Sequence, residues 1–407
     1  MLRKVTGVLV LLLLIAGGLF FFAAAPYTDA QRNLIVLKPP YTVRPAAKDL
    51  HARLRIADMH DDLLLWPRDP VARNTRGSTD IPRLLDGNVA IEIFSTVSKT
   101  PRNQNYDSNT GETDNITLLA MGERRPIKTW TSLLARAEWT ANKLKDAAER
   151  SNGTLVVVTT APQLENELAA RATGKPMVIG ILSLEGLQVL EGKIENLRTL
   201  YALGFRMAGL AHFFDNEIAG SAHGTAKGGL TPLGREVVKK MEEKGIIVDL
   251  AHVSSKSVDE VLTMATKPVV VSHGGVAAVC PGPRNWTDDQ LRRLAVNGGV
   301  IGIGYWDAAV CDVTPAGIAK AIRHAVDVAG IDHVGLGSDW DGAITAAFDA
   351  TGMPMLTEAL MKAGFREEEI GKIMGENTIR LLLELLPGGK SAASDSTITT
   401  PKSALKP

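Results

Sequence analysis

Short apolar runs alternate with amphipathic segments along most of the chain between about Leu50 and Leu386. Eight runs have the length and composition of buried strands, namely Arg55–Asp62, Val89–Val97, Met177–Glu185, Phe205–Phe213, Gly245–His252, Pro268–His273, Gly299–Trp306 and His333–Asp339. Two of the intervening segments, Gly234–Lys244 and Pro315–Gly330, show clear helical periodicity. Buried strands that alternate with helices predict an α/β fold with a parallel sheet. Eight such strands predict a single closed (β/α)8 TIM-like barrel.

The connection between the second and third predicted strands is long. It begins with the polar stretch Lys99–Asn115, continues with a helix whose apolar face includes Trp130 and Leu144, and ends in the apolar run Leu155–Thr160. That run lacks a polar residue at its end, so we interpret it as part of an insertion between strands 2 and 3. A doubly wound open sheet is the alternative, although no glycine-rich phosphate loop supports it.

The first thirty residues follow a different pattern. Arg3 and Lys4 precede the uncharged stretch Val5–Ala25, which as a helix would be about 31 Å long and could cross a bilayer. It is longer than the usual core of a cleaved signal peptide, and Pro26 disfavours cleavage directly after it. We therefore expect residues 1–30 to form a retained membrane anchor with the rest of the chain exported. A cleaved, secreted form is the alternative.

The remaining chain divides by composition. Residues 31–49 are predicted to be a linker, residues 50–387 the barrel domain, and residues 388–407, rich in Ser, Thr, Ala, Lys and Pro, a disordered tail. The 45 Lys and Arg residues balance 45 Asp and Glu. A net charge of zero argues against a nucleic-acid partner, because nucleic-acid binding requires a dominant positive field. Two cysteines are too few for a disulfide scaffold or a four-thiolate zinc site.

Polar side chains stand at the carboxyl ends of five predicted strands, where barrel enzymes keep their active sites. The first strand ends in His60 and Asp62, which should point to the same side because side chains alternate along a strand. The others are Glu185 on the third strand, His252 on the fifth, His273 on the sixth and Asp339 on the eighth. A strand cap explains any one of them. Together, with His212 closing the fourth strand, they predict a functional site.

The residue types indicate a metal site. Three histidines with Asp62 and Glu185 suit zinc, and other divalent metals are left open. Five ligands exceed what one catalytic zinc needs beside its open position. Two ions that share a carboxylate fit the number better, and such a pair can hold a bridging hydroxide. The histidines that end no strand, and that we expect at the surface or in the core, are His51, His223, His324 and His333.

A set of short motifs carries a resemblance to a known family. In chain order they are His60-x-Asp62, Ser183-x-Glu185-Gly186, Asp249-Leu250-Ala251-His252-Val253-Ser254, Ser272-His273, Arg284-Asn285 and Gly337-x-Asp339-x-Asp341-Gly342. Over about residues 50–386 the chain resembles the membrane dipeptidase (renal dipeptidase-like) family of zinc metallopeptidases, which are amidohydrolase-type TIM barrels. The set is specific, whereas HxD alone occurs throughout the wider amidohydrolase superfamily.

The resemblance implies a binuclear zinc site. His60 and Asp62 would bind one ion, His252 and His273 the other, and Glu185 and a hydroxide would bridge the two.

It further implies roles for three other positions. His212 would contact the substrate and its developing oxyanion, Arg284 would bind the substrate carboxylate, and Asp339 would handle the proton passed to the leaving amine. A disulfide between Cys280 and Cys311 is implied as well, with two free buried thiols as the alternative. A homodimer is expected from the resemblance alone.

The expected function is therefore zinc-dependent hydrolysis of dipeptides with a free C-terminal carboxylate, at the exported face of a membrane. One alternative is another reaction at the same site, such as hydrolysis of a β-lactam, a lactone or an N-acyl amino acid, because Arg284 suits any substrate with a carboxylate. A barrel that has lost its activity and only binds is a further alternative, although Glu185, the histidines and Asp339 are all present.

Overall fold

The computed structural model describes residues 2–389, so the predicted tail from residue 390 onward lies outside the described residues. The strands are β1 Leu34–Ile35, β2 Ile56–Asp61, β3 Val89–Phe94, β4 Leu155–Val157, β5 Val178–Leu184, β6 Phe205–Gly209, β7 Ile247–Asp249, β8 Val270–Gly274, β9 Val300–Ile303, β10 Val334–Leu336 and β11 Thr345–Ala346. The helices are α1 Leu2–Leu19, α2 Ala25–Arg32, α3 Pro45–Arg53, α4 Ile81–Asp86, α5 Asn115–Gly122, α6 Leu133–Arg150, α7 Ala161–Ala172, α8 Asn196–Leu203, α9 Pro232–Lys244, α10 Ser255–Met264, α11 Asp288–Asn297, α12 Asp307–Val310, α13 Pro315–Ala329, α14 Met353–Lys362, α15 Glu367–Gly371 and α16 Asn377–Leu385.

Within residues 2–389, eight parallel strands close into a barrel in the order β2, β3, β5, β6, β7, β8, β9, β10. The ring closes where Leu336 of β10 pairs with Asp58 of β2. Strand β3 pairs directly with β5 over residues 91–94 and 179–182. The short strand β4 pairs with residues 178–180 at the start of β5 and does not enter the ring. The predicted barrel, with an insertion between its second and third strands, is confirmed.

Every predicted barrel strand is present, but three of them end three residues before the polar residue that was expected to close them. Strand β6 ends at Gly209, β7 at Asp249 and β10 at Leu336. The backbone turns after the last two, because His252 has φ 62° and Asp339 has φ 58°. Both residues remain buried beyond the strand ends. An apolar run in the sequence indicates that its residues are buried but not that they pair in a strand. The sequence therefore predicted strands that are longer than those in the structure.

The helices that wrap the barrel begin where the sequence provides caps. The Thr231 side chain accepts a hydrogen bond from Gly234 N, and Pro232 occupies the first turn of α9. Thr314 does the same for α13, which begins at Pro315. A threonine cap followed by proline is a strong helix start, since proline has no N–H that would be left unpaired there.

A continuous helical segment precedes the barrel, because α1 runs through a π-helical stretch, Phe20–Ala24, into α2. Its Lys4–Arg32 portion is long and apolar enough to cross a membrane, and 6% of its most apolar window is buried against the protein.

The residues that follow this helix contact the barrel. Strand β1 pairs in parallel with β11, which lies beyond the last barrel strand. The side chains of Asp29 and Asn33 are buried. A two-residue strand has no periodicity, so no sequence pattern predicts this docking. The division of the chain at residues 30 and 49 stays a prediction.

Candidate metal centre

One buried carboxylate lies at the centre of a cluster of histidines at the carboxyl end of the barrel. Glu185 Oε1 lies 2.9 Å from His252 Nε2, 3.4 Å from His273 Nε2 and 3.6 Å from His60 Nε2. Its other oxygen, Oε2, lies 3.2 Å from His212 Nε2. None of these five residues is more than 5% exposed. The histidines come from four different strand ends, so the barrel itself brings them together.

Two further carboxylates complete the cluster beside His60. His60 Nε2 lies 3.8 Å from Asp62 Oδ2 and 3.8 Å from Asp339 Oδ1. His60 and Asp62 therefore lie on the same side, in agreement with the alternation of side chains along a strand. All of the residues predicted as metal ligands thus meet at one place.

The donor atoms form three overlapping groups that could each hold a metal ion. The groups are His60, Glu185 and His273; Glu185, His212 and His252; and His60, Asp62 and Asp339, with the donor atoms in each group within 4.8 Å of one another. Among residues 2–389, His60 Nε2, Asp62 Oδ1 and His252 Nδ1 have no hydrogen-bond partner. Buried polar atoms are normally paired. Unpaired imidazole nitrogens and carboxylate oxygens in one buried cluster fit a divalent metal of the zinc type.

Burial keeps three of the histidines neutral. It lowers the pKa of His212, His252 and His273 well below the usual value of 6.5. Nε2 of His252 and Nε2 of His273 are only 2.9 Å apart, so at least one of these two nitrogens has a free lone pair. A neutral imidazole is the form that binds metal.

The acidic groups of the cluster shift in the opposite direction. Burial, followed by the charge of Asp62, raises the pKa of Glu185 well above its ordinary value of 4.5. Burial also raises the pKa of Asp339 to about 7. Burial alone lowers the pKa of His60, but the nearby carboxylates outweigh it and raise the pKa to about 10. Glu185 and Asp339 therefore bind protons more tightly than isolated carboxyl groups do, and cations that bind at such ligands displace protons.

A serine and an aspartate orient His273 from behind. Ser272 Oγ donates to Asp249 Oδ2 at 2.6 Å and lies 2.9 Å from His273 Nδ1. Because the hydroxyl proton is used on Asp249, the serine oxygen accepts from Nδ1 of His273, which leaves Nε2 unprotonated towards Glu185. Such outer hydrogen bonds fix the tautomer of a metal-binding histidine. The sequence placed Asp249 and Ser272 within motifs but gave them no role.

Arg284 lies against the histidines with part of its guanidinium unpaired. Its Nη1 lies 3.0 Å from His252 Nε2, its Nη2 donates to the His273 carbonyl at 2.9 Å, and the group sits 4.9 Å from the Trp306 ring centroid. Among residues 2–389, Arg284 Nε has no hydrogen-bond partner. Arg284 is 7% exposed as a residue, and a guanidinium beside the cluster is suited to bind a carboxylate.

The loops that carry Arg284 and Trp306 are tied together. Cys280, after β8, and Cys311, after β9, form a disulfide with Cα atoms 5.4 Å apart, so the predicted bridge is confirmed. Asn285 Nδ2 adds a second link, since it donates to the Cys280 carbonyl at 2.7 Å and to the Ala308 carbonyl at 2.8 Å. The disulfide and the amide together restrict the position of Arg284.

Two residues that lie at this site, Tyr106 and His223, were not predicted to be there. Tyr106 accepts a hydrogen bond from Trp306 Nε1 at 3.0 Å, and its carbonyl lies 2.8 Å from His223 Nδ1. The His223 ring stacks on Phe213 and lies 5.5 Å from the His252 ring. Tyr106 belongs to the polar stretch Lys99–Asn115, whose conformation no periodicity predicts.

The other three histidines lie elsewhere in hydrogen bonds of their own. Their partners are Thr357 and Gly87 for His51, Asp288 for His324, and Gly299 for His333.

Comparison with known proteins identifies relatives of the chain. Residues 44–387 match a family model described as membrane dipeptidase, peptidase family M19. Dipeptidase tcpJ of Claviceps purpurea is 36% identical over 215 residues, which are 50% of this chain and 50% of the relative. Dipeptidase verJ of Clonostachys rogersoniana is 34% identical over 212 residues, 50% of this chain and 55% of the relative. The chain spans about half the length of these curated relatives.

Solved structures share the fold. A dipeptidase AC structure, described as a metallopeptidase of family M19, is 25% identical with a TM-score of 0.65, covering 82% of this chain and 99% of that one. The probable dipeptidase PvdM from Pseudomonas aeruginosa is 19% identical with a TM-score of 0.69, covering 83% of this chain and 96% of that one. At that identity the second comparison supports the fold alone.

Proposed function

The chain belongs to the membrane dipeptidase family, peptidase family M19, and on this basis we propose that it hydrolyses the amide bond of dipeptides with a free C-terminal carboxylate, using zinc. One observation carries the proposal: the buried Glu185 carboxylate contacts four histidines, and Arg284 lies against two of them. A metal-binding cluster beside an arginine whose Nε has no hydrogen-bond partner among residues 2–389 suits a substrate that has both an amide bond and a carboxylate.

We assign two zinc ions to the cluster. His60 and Asp62 would hold one, His252 and His273 would hold the other, and Glu185 would be a ligand shared by both. Three observations support this assignment. His60 falls in one donor group with Asp62, Glu185 falls in one group with His60 and His273 and in another with His252, and Nε2 of His252 lies 2.9 Å from Nε2 of His273. The chemistry that such ions would supply is polarisation of the scissile carbonyl and a water pKa lowered to about 7, which would provide hydroxide at neutral pH.

Arg284 binds and orients the substrate. Its contacts with the His273 carbonyl and the Trp306 ring hold the guanidinium plane in place. The remaining N–H groups pair with the C-terminal carboxylate, because a planar guanidinium matches a carboxylate with two parallel hydrogen bonds. A free carboxylate one residue beyond the scissile bond then selects dipeptides over longer chains.

His212 and Asp339 act on the reacting atoms. The Lys99 carbonyl lies 3.4 Å from His212 Nδ1 and holds the ring so that Nε2 faces the cluster. Because burial keeps the free ring neutral, His212 takes up a proton from solvent on Nε2 as negative charge develops on the substrate carbonyl, and it then donates a hydrogen bond to that oxygen. Asp339 Oδ1 takes the proton from the attacking water and returns it to the leaving amine nitrogen. A pKa of about 7 suits both steps.

We also propose that the uncharged stretch Val5–Ala25 of the long N-terminal helix anchors the enzyme in a membrane with the barrel on the exported side. The length and composition of the helix support the anchor. The Cys280–Cys311 disulfide supports an oxidising compartment. The partners we propose are therefore a small dipeptide and the membrane. A homodimer rests on the family resemblance alone.

The test is a metal count on the purified full-length enzyme, with hydrolysis of a dipeptide followed before chelation, after chelation and after zinc is restored. We expect two zinc ions per chain, loss of hydrolysis on chelation and recovery with zinc. One ion per chain contradicts the binuclear site. Hydrolysis that is indifferent to the chelator contradicts the metal-dependent reaction itself.

A further inference from the structure

The segment that joins the hydrophobic helix to the barrel also holds the loop after the last barrel strand, where Asp339 lies. We propose that this segment, residues 25–37, which we name the N-terminal clasp, positions the Asp339 carboxylate for proton transfer. The inference rests on the role proposed above for Asp339. It makes Asp29 a positioning residue, because Asp29 acts through other residues and contacts neither metal ligands nor substrate.

Asp29 is the polar centre of the clasp. It is 0% exposed, and its Oδ2 forms ion pairs with Arg68 Nε and Arg76 Nε, both at 3.2 Å. Its Oδ1 accepts a hydrogen bond from Asn33 Nδ2 at 2.8 Å. A buried carboxylate paired with two cations is a fixed contact, since removing it would leave buried charge uncompensated.

Arg68 carries the contact from the clasp to the loop. Its Nη2 lies 2.8 Å from Asp341 Oδ2, and both side chains are fully buried. Asp341 also accepts hydrogen bonds from Ser78 N at 2.7 Å and Thr79 Oγ1 at 2.8 Å. One guanidinium therefore lies between two buried carboxylates, one in the clasp and one two residues beyond Asp339.

The backbone at Gly77 leaves space for the Arg68 guanidinium. Gly77 has φ 70°, and a Cβ added there would lie 2.0 Å from Arg68 Nη1. A side chain at this position would both strain the backbone and displace Arg68.

Backbone contacts hold the rest of the loop. Leu34 N donates to the Ile344 carbonyl at 3.1 Å, and Val36 N donates to the Ala346 carbonyl at 3.0 Å. Asn33 Oδ1, whose amide group is held by Asp29, accepts from Ala343 N at 2.9 Å. The clasp therefore contacts the loop after β10 from residue 341 to residue 346.

The loop requires such support because its backbone is strained. Asp339, Asp341 and Ala343 have φ of 58°, 62° and 61°, a region that residues with side chains rarely adopt. Three such residues at alternate positions are stable only when their surroundings enforce them.

A movement of this loop would directly change the position of the Asp339 carboxylate. A Cβ added at Gly342 would lie 2.1 Å from Asp339 Oδ1, so the loop backbone passes close to the atom that we propose carries the proton. Gly342 N also donates to the Asp339 carbonyl at 3.1 Å. Release of the clasp is therefore expected to displace the carboxylate and slow the chemical step.

The test uses the full-length enzyme in detergent with Asp29→Asn, the milder Asn33→Ala, and the matched control Gln31→Ala on the exposed side of α2. We expect kcat of Asp29→Asn to fall roughly 10- to 100-fold, the loss that a misplaced catalytic group causes. Asn33→Ala should lose less, and KM and metal content should stay at wild-type values in both variants. Gln31→Ala should match the wild type.

Two results would overturn the inference. A wild-type kcat in Asp29→Asn, whether or not the melting temperature falls, would show that the clasp only stabilises the fold. A raised KM with unchanged kcat would show that the clasp acts on substrate binding. If Asp29→Asn does not fold, Asn33→Ala decides by the same two measurements.

Asp339→Asn separates failure of this inference from failure of the proposed function. An Asp339→Asn enzyme that keeps wild-type kcat overturns the role of Asp339 and the clasp with it. If Asp339→Asn is inactive but Asp29→Asn is fully active, only the clasp inference fails. In the Asp339→Asn background, Asp29→Asn should cost no further kcat, whereas an independent effect would multiply with the first.

Discussion

His51 and the histidines around Glu185 are buried alike, yet their ring nitrogens have different surroundings. His51 is 4% exposed, His60 1% and His252 3%. His51 Nδ1 lies 2.8 Å from Thr357 Oγ1, and its Nε2 lies 3.0 Å from the Gly87 carbonyl. Among residues 2–389, His60 Nε2 and His252 Nδ1 have no hydrogen-bond partner. One region thus satisfies its buried imidazole within the protein, and the other leaves nitrogens that a ligand can use.

The difference indicates what each region is for. The Gly87 carbonyl can only accept, so His51 carries its proton on Nε2 and accepts from the Thr357 hydroxyl through Nδ1. This arrangement needs no further partner and serves the fold. Buried polar atoms without a hydrogen-bond partner destabilise the folded protein unless a ligand binds to them. Burial alone does not separate a structural histidine from a functional one, whereas hydrogen bonding does.

The substitution Glu185→Gln is expected to have the largest effect on the difference between the metal-binding cluster and His51. It keeps the shape of the side chain and removes the negative charge that the two proposed ions would share. We expect kcat/KM for a dipeptide to fall on the order of 1,000-fold, because each of the two ions that we propose would lose a ligand. The bound zinc should fall with it. The melting temperature of the metal-free protein should not decrease, since a buried carboxylate with a strongly raised pKa does not stabilise the fold. Steady-state kinetics, metal analysis and calorimetry measure the three quantities.

The matched control is Glu165→Gln, which changes an exposed glutamate on α7 and should alter neither kinetics nor zinc content. A Glu185→Gln enzyme that keeps both ions and its activity would remove Glu185 from the centre of the site.

The barrel and its metal-binding cluster were open to prediction from the sequence for one physical reason. Strands buried on both faces read as continuous apolar runs, so the order of the runs gives the order of the strands. The polar residue that ends each run then falls at the carboxyl end of the barrel. His60, Glu185 and His273 could be placed together in this way although they are far apart in the chain.

Other parts of the molecule leave no such pattern. The contact between Asn33 and Ala343 joins residues 310 positions apart, and neither lies in a periodic segment. Tyr106 reaches the site from an irregular loop. The ends of β7 and β10 were misplaced because His252 and Asp339 stay buried after the backbone has left the sheet. Loop conformation and long-range polar pairing depend on tertiary contacts that local sequence does not encode.

The pH dependence of the free energy of unfolding tests the structural histidine of the comparison, His51. Burial lowers the pKa of His51 from 6.5 to about 4. The folded protein therefore binds fewer protons than the unfolded chain between these two values. The stabilisation is complete above about pH 6.5 and is lost as the pH falls towards 4. It amounts to roughly 3 kcal/mol in total.

Urea unfolding of wild type and His51→Gln, each at several pH values between 4 and 7, isolates this contribution, because the two proteins share every other titrating group. The free energy of unfolding should fall more steeply with decreasing pH in the wild type. Equal slopes would mean that His51 does not titrate as its burial predicts.

The next effect in size concerns Arg284, whose Nε, unlike either nitrogen of His51, has no partner among residues 2–389. An unpaired buried donor at the cluster should serve binding. Arg284→Ala is therefore expected to lower kcat/KM for a dipeptide roughly 10- to 100-fold and to leave the value for its C-terminal amide almost unchanged. The ratio of the two substrates measures the contribution of the carboxylate directly.

Arg292→Ala, at an exposed arginine on α11, is the matched control and should leave the ratio as it is. An unchanged ratio in Arg284→Ala itself would separate Arg284 from the substrate carboxylate.

The smallest expected effect returns to His51. Thr357→Val keeps the shape of a fully buried side chain but removes the hydroxyl that His51 Nδ1 accepts from, so we expect a loss of about 1–2 kcal/mol in the free energy of unfolding. Hydrolysis at neutral pH should be unaffected. In a His51→Ala background the same substitution should cost much less, because the partner nitrogen is already gone. An equal cost in both backgrounds would mean that the hydroxyl stabilises the fold through some other contact, and His51 could then no longer be described as a histidine that this hydrogen bond satisfies.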